Sequence, residues 1–186
     1  MVAGYLGTLG PITMPAIFAF TCSHCGEVHE GSPSFSYEAP LQYSRLSETQ
    51  RNDMATLSSD LCTIKDNQGV DYFIRTVLEV PIHGAEEPFS WGVWASLSEK
   101  SYARYLKTYD DPVAGEAFFG YLCNRLPYYP DTVGLPSDVV VQISGIRPKL
   151  QLHHGSAHDN QLIVDQYHGI TVARAQEIAE HASHGA

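Results

Sequence analysis

The chain has 186 residues, of which 44% are hydrophobic, 11% aromatic and 17% charged, a composition far from that of aromatic-poor, charge-rich disordered chains. Its length is sufficient for one substantial hydrophobic core. Acidic residues outnumber basic ones 21 to 11. The basic residues are scattered without a run, so we expect no nucleic-acid partner. The negative electrostatic field favours a basic protein partner.

Residues 1–17 are predicted to form a flexible N-terminal extension, followed by one domain over residues 18–186. No charged side chain occurs in the first 26 residues. However, no Lys or Arg precedes the apolar residues, and glycines and prolines interrupt them. We therefore expect neither a signal peptide nor a membrane segment, with Met14 as an alternative start.

Four cysteines without an export signal predict a reducing cytoplasm.

The first motif is FTCSHCGEVHEG, residues 20–31. Cys22 and Cys25 are three positions apart and Gly26 follows, which predicts a tight turn that directs both sulfurs toward one metal ion. His29 would return across a short hairpin as a third ligand. We predict a structural zinc knuckle over residues 22–29. A redox-active dithiol and unliganded thiols are the alternatives.

No second Cys-x-x-Cys pair accompanies the knuckle, so a fourth zinc ligand must come from elsewhere. Cys62 and Cys123 stand alone in apolar segments and are predicted to be buried thiols. Either one could complete the zinc site. Water in the fourth position is the remaining option, and it is the arrangement that catalytic zinc requires.

The segment after the knuckle, residues 32–53, is predicted to be a loop with one short helix around residues 47–53. Three runs rich in β-branched and aromatic residues follow, and the short turn-forming segments between them predict antiparallel hairpins. These strands are predicted at residues 60–65, 70–82 and 89–98. Ser98 then has the features of a helix N-cap, with Leu97 and Tyr102 as a hydrophobic staple, for a helix within residues 99–109.

The second half of the chain is predicted to add strands within residues 118–126, 138–143 and 147–152. Residues 172–182 predict an amphipathic helix behind an N-cap at Thr171. Its apolar face is formed by Val172, Ala175, Ile178, Ala179 and Ala182. Strands in the middle and helices late in the chain favour a single α+β domain with a mostly antiparallel sheet and helices on one face.

A distinctive polar loop, NRLPYYPDTVGLP, occupies residues 124–136. It gathers Asn124, Arg125, Tyr128 and Asp131 between prolines, a rigid frame able to present these groups to a ligand. The alternative is that Arg125 and Asp131 pair with each other while the tyrosines pack.

Other patterns of catalytic residues are weak or missing. His153, His154, His158 and Asp159 cluster in a loop without a His-Glu-x-x-His helix or paired carboxylates, so solvated histidines are expected there. The chain contains no Gly-x-Ser-x-Gly elbow, phosphate-binding loop or dinucleotide-binding glycine motif.

The order of several segments resembles a family of small bacterial proteins known as domain of unknown function 2199. These segments are FTCSHCGEVHEG, SSDLC, YFIRTVLEVPI, FSWGVWASLSE, GYLCNRLPYYPDT, RPKLQL and DQYHGITVARAQEI. The resemblance spans residues 18–178 and implies a bacterial, single-domain protein without an assigned activity. The family pattern falls on Cys22, Cys25, Gly26 and His29 in the knuckle, and on Asn124, Arg125, Pro127, Pro130 and Asp131 in the loop.

These observations favour a binding or interaction protein with a structural zinc knuckle over an enzyme. The alternative is a zinc-dependent hydrolase in which Cys22, Cys25 and His29 leave the fourth position open for water. A nearby carboxylate, Glu27 or Glu30, would then assist that water.

Overall fold

The computed structural model describes residues 18–155 and 160–184, which form ten β-strands and five α-helices. The strands are β1 (Ala19–Thr21), β2 (Val28–Glu30), β3 (Ser34–Ser36), β4 (Ala55–Leu57), β5 (Leu61–Lys65), β6 (Val70–Val80), β7 (Phe89–Leu97), β8 (Ala117–Leu122), β9 (Pro136–Val140) and β10 (Lys149–Leu152). The helices are α1 (Leu41–Ser44), α2 (Glu48–Met54), α3 (Glu99–Lys107), α4 (Gln161–His168) and α5 (Val172–His184). The extension predicted over residues 1–17 lies outside the described residues, as do His158 and Asp159.

Strands β6 to β10 close into a ring. The eight-stranded sheet has the order β3-β7-β8-β9-β10-β6-β5-β4, and β6 also pairs with β7 along its length, from Tyr72↔Leu97 to Val80↔Phe89. The ring closes where β10 meets β6 at Lys149↔Val77. Closure removes most of the free edge that the long strands would otherwise expose.

The prediction of a mostly antiparallel sheet is only partly confirmed. Each consecutive pair from β4 to β10 is antiparallel, but β3 runs parallel to β7 and β10 runs parallel to β6. The second parallel pair follows from the ring itself. In a meander of five strands the fifth points the same way as the first, so joining them produces a parallel pair. The domain is therefore α+β with a mixed sheet.

Helices cover both faces of the long strands rather than the single face that was predicted. Successive side chains in a strand point to opposite faces, and Phe73 and Ile74 belong to different core clusters. The first cluster lies on the Ile74 side and includes residues of α3, α4 and α5. The second lies on the Phe73 side under Leu46 and Met54, from the segment that holds α1 and α2. Strands apolar on both faces need cover on both.

Helix α5, the last helix of the described chain, packs in the same core cluster as the first described residue. Ala175, Ile178 and Ala179 are buried in the first core cluster, as predicted for the apolar face, whereas Val172 at the start of the helix is exposed. Phe18, directly before β1, is buried in the same cluster. The small β1–β2 hairpin therefore lies against the C-terminal helix. Among residues 18–155 and 160–184, no helix combines the length and apolarity needed to cross a membrane.

Candidate metal centre

The β1–β2 hairpin is closed by a tight turn that contains both cysteines of the first motif. The backbone N–H of Cys22 donates to the carbonyl of Glu27 at 2.8 Å, and the N–H of Gly26 donates to the carbonyl of Cys22 at 2.9 Å. Gly26 has a φ of 75°, in the left-handed region that glycine occupies without strain. The turn therefore has the geometry predicted from the Cys-x-x-Cys-Gly spacing.

Three potential metal ligands meet at this turn. The sulfurs of Cys22 and Cys25 and a ring nitrogen of His29 all lie within 4.8 Å of one another. The Cys25 Sγ to His29 Nε2 distance is 3.6 Å, which matches the roughly 3.6 Å between sulfur and nitrogen ligands of a tetrahedral zinc ion. The His29 ring stacks on its cross-strand neighbour Phe20, with ring centroids 5.1 Å apart. This donor set fits a metal ion.

The two thiols of the knuckle differ in acidity. Hydrogen bonding from the backbone N–H of Cys25 lowers the pKa of Cys22, against the opposing effect of burial. For Cys25 the backbone N–H of Glu27 lowers the pKa, but the hydrogen bond with the Cys22 side chain and burial outweigh it and leave the pKa raised. The arrangement favours one thiolate at a time. A cation between the sulfurs would permit both, because metal binding stabilises the thiolate form.

Cys62 and Cys123 are buried, as predicted, and neither joins the metal group, so the option that one of them supplies the fourth ligand is not supported. Both belong to the second core cluster, on the other face of the sheet from Phe18 and α5. Burial raises the pKa of Cys62 to about 12 and that of Cys123 to about 11, so both are neutral thiols. Among the described residues, the candidate metal group consists of Cys22, Cys25 and His29.

A carboxylate on α5 holds the knuckle in place. Glu180 accepts hydrogen bonds from the backbone N–H and the hydroxyl of Ser23, both at 2.7 Å, and from Gln176 at 3.0 Å. Gln176 also donates to the carbonyl of Thr21 at 3.2 Å. The Gln176 amide and the two Ser23 donors lower the pKa of Glu180 to about 2. Sequence reasoning missed this contact, because its partners are 157 positions apart and no local pattern links them.

The polar loop lies over α4 and α5, and its first residue is used inside the fold. Asn124 is only 2% exposed. Its side-chain carbonyl accepts from the Trp94 backbone N–H at 2.7 Å, and its amide donates to the carbonyl of Ala39 at 3.0 Å. The Asn124 side chain therefore anchors the loop to β7 and to the segment before α1.

The charged residues of the loop, in contrast, face solvent. Arg125 and Asp131 are exposed, and within the described residues they form no ion pair with each other or with other side chains. Together with Tyr128, Tyr129 and their neighbours they line a cleft of about 470 Å³. Tyr128 and Asp131 have φ values of 70° and 49°, uncommon for residues other than glycine. The predicted Arg125–Asp131 pairing is not what the geometry shows.

Beneath the loop lies a buried carboxylate that the sequence analysis did not single out. Asp165 of α4 is 4% exposed and accepts hydrogen bonds from Tyr129 Oη and Arg174 Nε, both at 2.8 Å, and from Gln161 at 2.7 Å. Burial and the neighbouring Asp165 carboxylate raise the pKa of Tyr129. An available signal was the position of Asp165 on the apolar side of the helix, three residues after Leu162.

Two of the clustered histidines, His153 and His154, lie among the described residues and are exposed, as expected for solvated side chains. His153 Nε2 lies 3.2 Å from the carboxylate of Asp138, and the His154 ring stacks on Tyr167. These histidines therefore contact neighbouring side chains on the surface rather than a common centre.

Comparison with known proteins places the chain in one family. No curated protein and no solved structure matches it significantly. A family model described as an uncharacterised protein conserved in bacteria, domain of unknown function 2199, matches residues 21–170. The match includes the knuckle, the ring of strands, the polar loop and α4. The chain therefore belongs to the bacterial protein family of domain of unknown function 2199.

Proposed function

We propose that this protein binds one zinc ion through Cys22, Cys25 and His29, and that the metal has a structural role in a molecule that acts by binding a partner. Zinc is the metal that this mixed thiolate and imidazole set favours in proteins. When bound, it would cross-link the hairpin and neutralise the two thiolates. The structural role makes zinc affinity part of the folding free energy.

The contact between the knuckle and α5 is the main support for a structural role of the metal. Ser23 lies between the two cysteines, and both of its donors bind Glu180. The metal-binding turn is thus attached to the last helix of the described chain, whose apolar face lies in the first core cluster. Loosening the turn would therefore also loosen the packing of α5.

The proposed partner is a basic protein. A net charge of −10 produces a negative field that attracts cationic surfaces and increases their rate of encounter. Four of the eleven basic side chains already form intramolecular ion pairs with carboxylates: Arg104, Arg147, Lys149 and Arg174. The charges that are left unpaired are therefore predominantly negative.

The proposed compartment is the reducing cytoplasm, as the cysteine content predicted. Its support is that none of the four cysteines forms a disulfide; two lie in the metal group and two in the second core cluster. Fractionation of bacterial cells that express the tagged chain tests this, and recovery of the chain in the periplasmic fraction would contradict it.

A second candidate function is zinc-dependent hydrolysis, and one observation favours it. The candidate group among the described residues supplies three ligands, which is the number that catalytic zinc sites use with water in the fourth position. Of the two predicted carboxylates, Glu27 is close enough to raise the pKa of Cys25. Glu30 points to the opposite face of β2 from His29, because the two are adjacent in the strand. However, three of the surface clefts among the described residues lie elsewhere, since none of these three is lined by a knuckle residue.

The experiment that separates these functions measures zinc and thermal stability together. We expect about one zinc per chain by elemental analysis, a lower melting temperature after chelation, and loss of zinc in the Cys22→Ser, Cys25→Ser double variant. Cys62→Ala is the matched control and should keep its zinc. Zinc retained by the double variant would refute the site. An unchanged melting temperature after chelation, with chelator-sensitive hydrolysis of a test ester, would establish the second candidate function instead.

A further inference from the structure

The cleft over α4 and α5 is formed by one continuous stretch of the loop, residues 125–131. Arg125 stands at its start and Asp131 at its end, with two tyrosines and two prolines between them. Both charged side chains are exposed, and their charges are not neutralised by any other described residue. The cleft therefore offers one cationic group, one anionic group and an apolar wall.

Within the described part of the chain, Arg125 is one of two arginines whose guanidinium has no hydrogen-bond acceptor. The chain has seven arginines, and five of them donate to a carbonyl or a carboxylate: Arg51, Arg75, Arg104, Arg147 and Arg174. The other two are Arg45 and Arg125, and of these Arg125 lines the cleft. A guanidinium left free at a concave surface is available to bind a planar anion in a bidentate geometry.

The cleft is held rigid by contacts from other parts of the fold. Tyr37 Oη donates to the carbonyl of Arg125 at 2.6 Å. Asn160, the N-cap of α4, donates to the carbonyls of Pro130 at 2.6 Å and Asp131 at 3.3 Å. Both ends of the loop are thus fixed through their backbone, which leaves the two charged side chains free. A preformed site loses less conformational entropy when a ligand binds.

We propose that this cleft binds a small zwitterion of the amino-acid type, with its carboxylate on Arg125 and its ammonium group on Asp131. The rings of Tyr128 and Tyr129 and the prolines would contact an apolar side chain of the ligand. Asp131 and the net charge of −10 repel phosphates and other polyanions, whereas a ligand with its own positive group satisfies both charges of the cleft. The volume suits a small molecule.

This ligand site goes beyond the structural role of zinc, and the two can fail separately. Cys22, Cys25 and His29 do not line the cleft. Arg125 and Asp131 do not belong to the metal group. Zinc stoichiometry therefore tests the knuckle, and ligand binding by the zinc-loaded protein tests the cleft.

Isothermal titration calorimetry of the full chain with three probes tests the proposal. Phenylalanine carries both charges and an apolar ring, phenylalanine amide lacks the carboxylate, and 3-phenylpropionate lacks the ammonium group. We expect phenylalanine to bind, and each of the other probes to bind at least about tenfold more weakly because one charge is unmatched. Absence of phenylalanine binding at millimolar concentration, or equal binding of 3-phenylpropionate, would overturn the proposal.

Three variants assign the binding to the two side chains. Arg125→Gln and Asp131→Asn should each weaken phenylalanine binding at least about tenfold, and their melting temperatures should not change. Asparagine accepts the positive φ of position 131, so the backbone there is kept. Arg45→Gln removes the other unpaired arginine and should bind phenylalanine as the unmodified protein does. Unchanged binding in both cleft variants would contradict the site.

Discussion

Among residues 18–155 and 160–184, Asp165 is the one charged residue that is buried. Its carboxylate is satisfied by Tyr129, Arg174 and Gln161, which come from the polar loop, α5 and α4. A buried ion that is fully hydrogen-bonded is tolerated, whereas the loss of one partner leaves polar groups without compensation. This side chain therefore connects the loop to both helices.

Asp165→Asn should lower the free energy of unfolding by about 2–4 kcal/mol, because Arg174 loses its carboxylate and the Tyr129 hydroxyl loses a charged acceptor. Urea denaturation measures this change. Asp110→Asn, which alters an exposed aspartate in the turn after α3, is the matched control and should stay within about 0.5 kcal/mol. Equal effects of the two variants would show that the buried network does not contribute to stability.

Glu180 leads to a pH prediction because its folded-state pKa lies below its ordinary value. The pKa falls from 4.5 to about 2, so the folded state favours the ionised carboxylate. Its contribution to stability is complete above about pH 4.5 and is lost as the pH falls toward 2. We expect the melting temperatures of the unmodified protein and Glu180→Gln to differ at pH 7 and to converge over this range.

Both proteins are loaded with zinc at neutral pH, and because acid protonates the metal ligands in both alike, that effect does not enter their difference. Gln176 and Ser23 remain in both proteins, so the measured difference reports the carboxylate. A gap between the two melting curves that stays constant down to pH 2 would show that the charge of Glu180 has no role.

The local groups of the knuckle were predictable because sequence spacing determines their positions. Cys22, Cys25 and Gly26 form one turn, and His29 lies across a short hairpin, so four nearby positions predict one cluster. Glu180 and Asp165 were not predictable in the same way. Their partners come from distant segments, and the contacts exist only after α4 and α5 have packed.

Most of the predicted elements exist close to their predicted bounds. β5, β6 and β7 lie within the three predicted strands, and Ser98 caps α3 by accepting a hydrogen bond from the N–H of Ser101. These elements carry clear local signals, namely alternating apolar residues, turn residues and a serine cap. By contrast, β3 and α1 lie where a loop was predicted, and β4 lies in a stretch for which no element was predicted; each is three or four residues long. Elements that short depend on their neighbours for stability.

The contact between β7 and β8 depends on one glycine. Gly120 pairs with Leu97, and a Cβ at this position would lie 2.3 Å from the carbonyl oxygen of Ser96. Only glycine permits this approach of the two backbones, and the approach is part of the ring. The sequence did not distinguish Gly120 from the other glycines, because close backbone contact is a property of the assembled sheet.

Gly120→Ala should therefore lower the free energy of unfolding by about 1–3 kcal/mol, since either the strands separate or the backbone shifts. Chemical denaturation measures it. Thr56→Ala, on the exposed side of the short strand β4, serves as the control and should change stability by less than about 0.5 kcal/mol. Full stability of Gly120→Ala would mean that β7 and β8 can separate without cost.

At the scale of the whole molecule, the net negative charge predicts which classes of macromolecule will bind. A labelled basic protein should associate at low salt and dissociate as salt is raised, because screening weakens the negative field. A labelled DNA or RNA strand should not bind at physiological salt, since the scattered cations cannot release enough counterions. Fluorescence anisotropy over a salt series measures both. Submicromolar nucleic-acid binding with a steep salt dependence would contradict this prediction.

The sequence by itself determined the α+β class, the long strands, the amphipathic C-terminal helix and the cluster of Cys22, Cys25 and His29. The strands, the helix and the cluster each depend on spacing within about a dozen residues, where chain geometry leaves few alternatives. The α+β class follows from the order of those elements along the chain. The tertiary structure alone decided the closure of five strands into a ring, the separation of Cys62 and Cys123 from the metal group, and the attachment of the knuckle to Glu180. These features join segments far apart in the chain, and they follow from how the two faces of the sheet are buried.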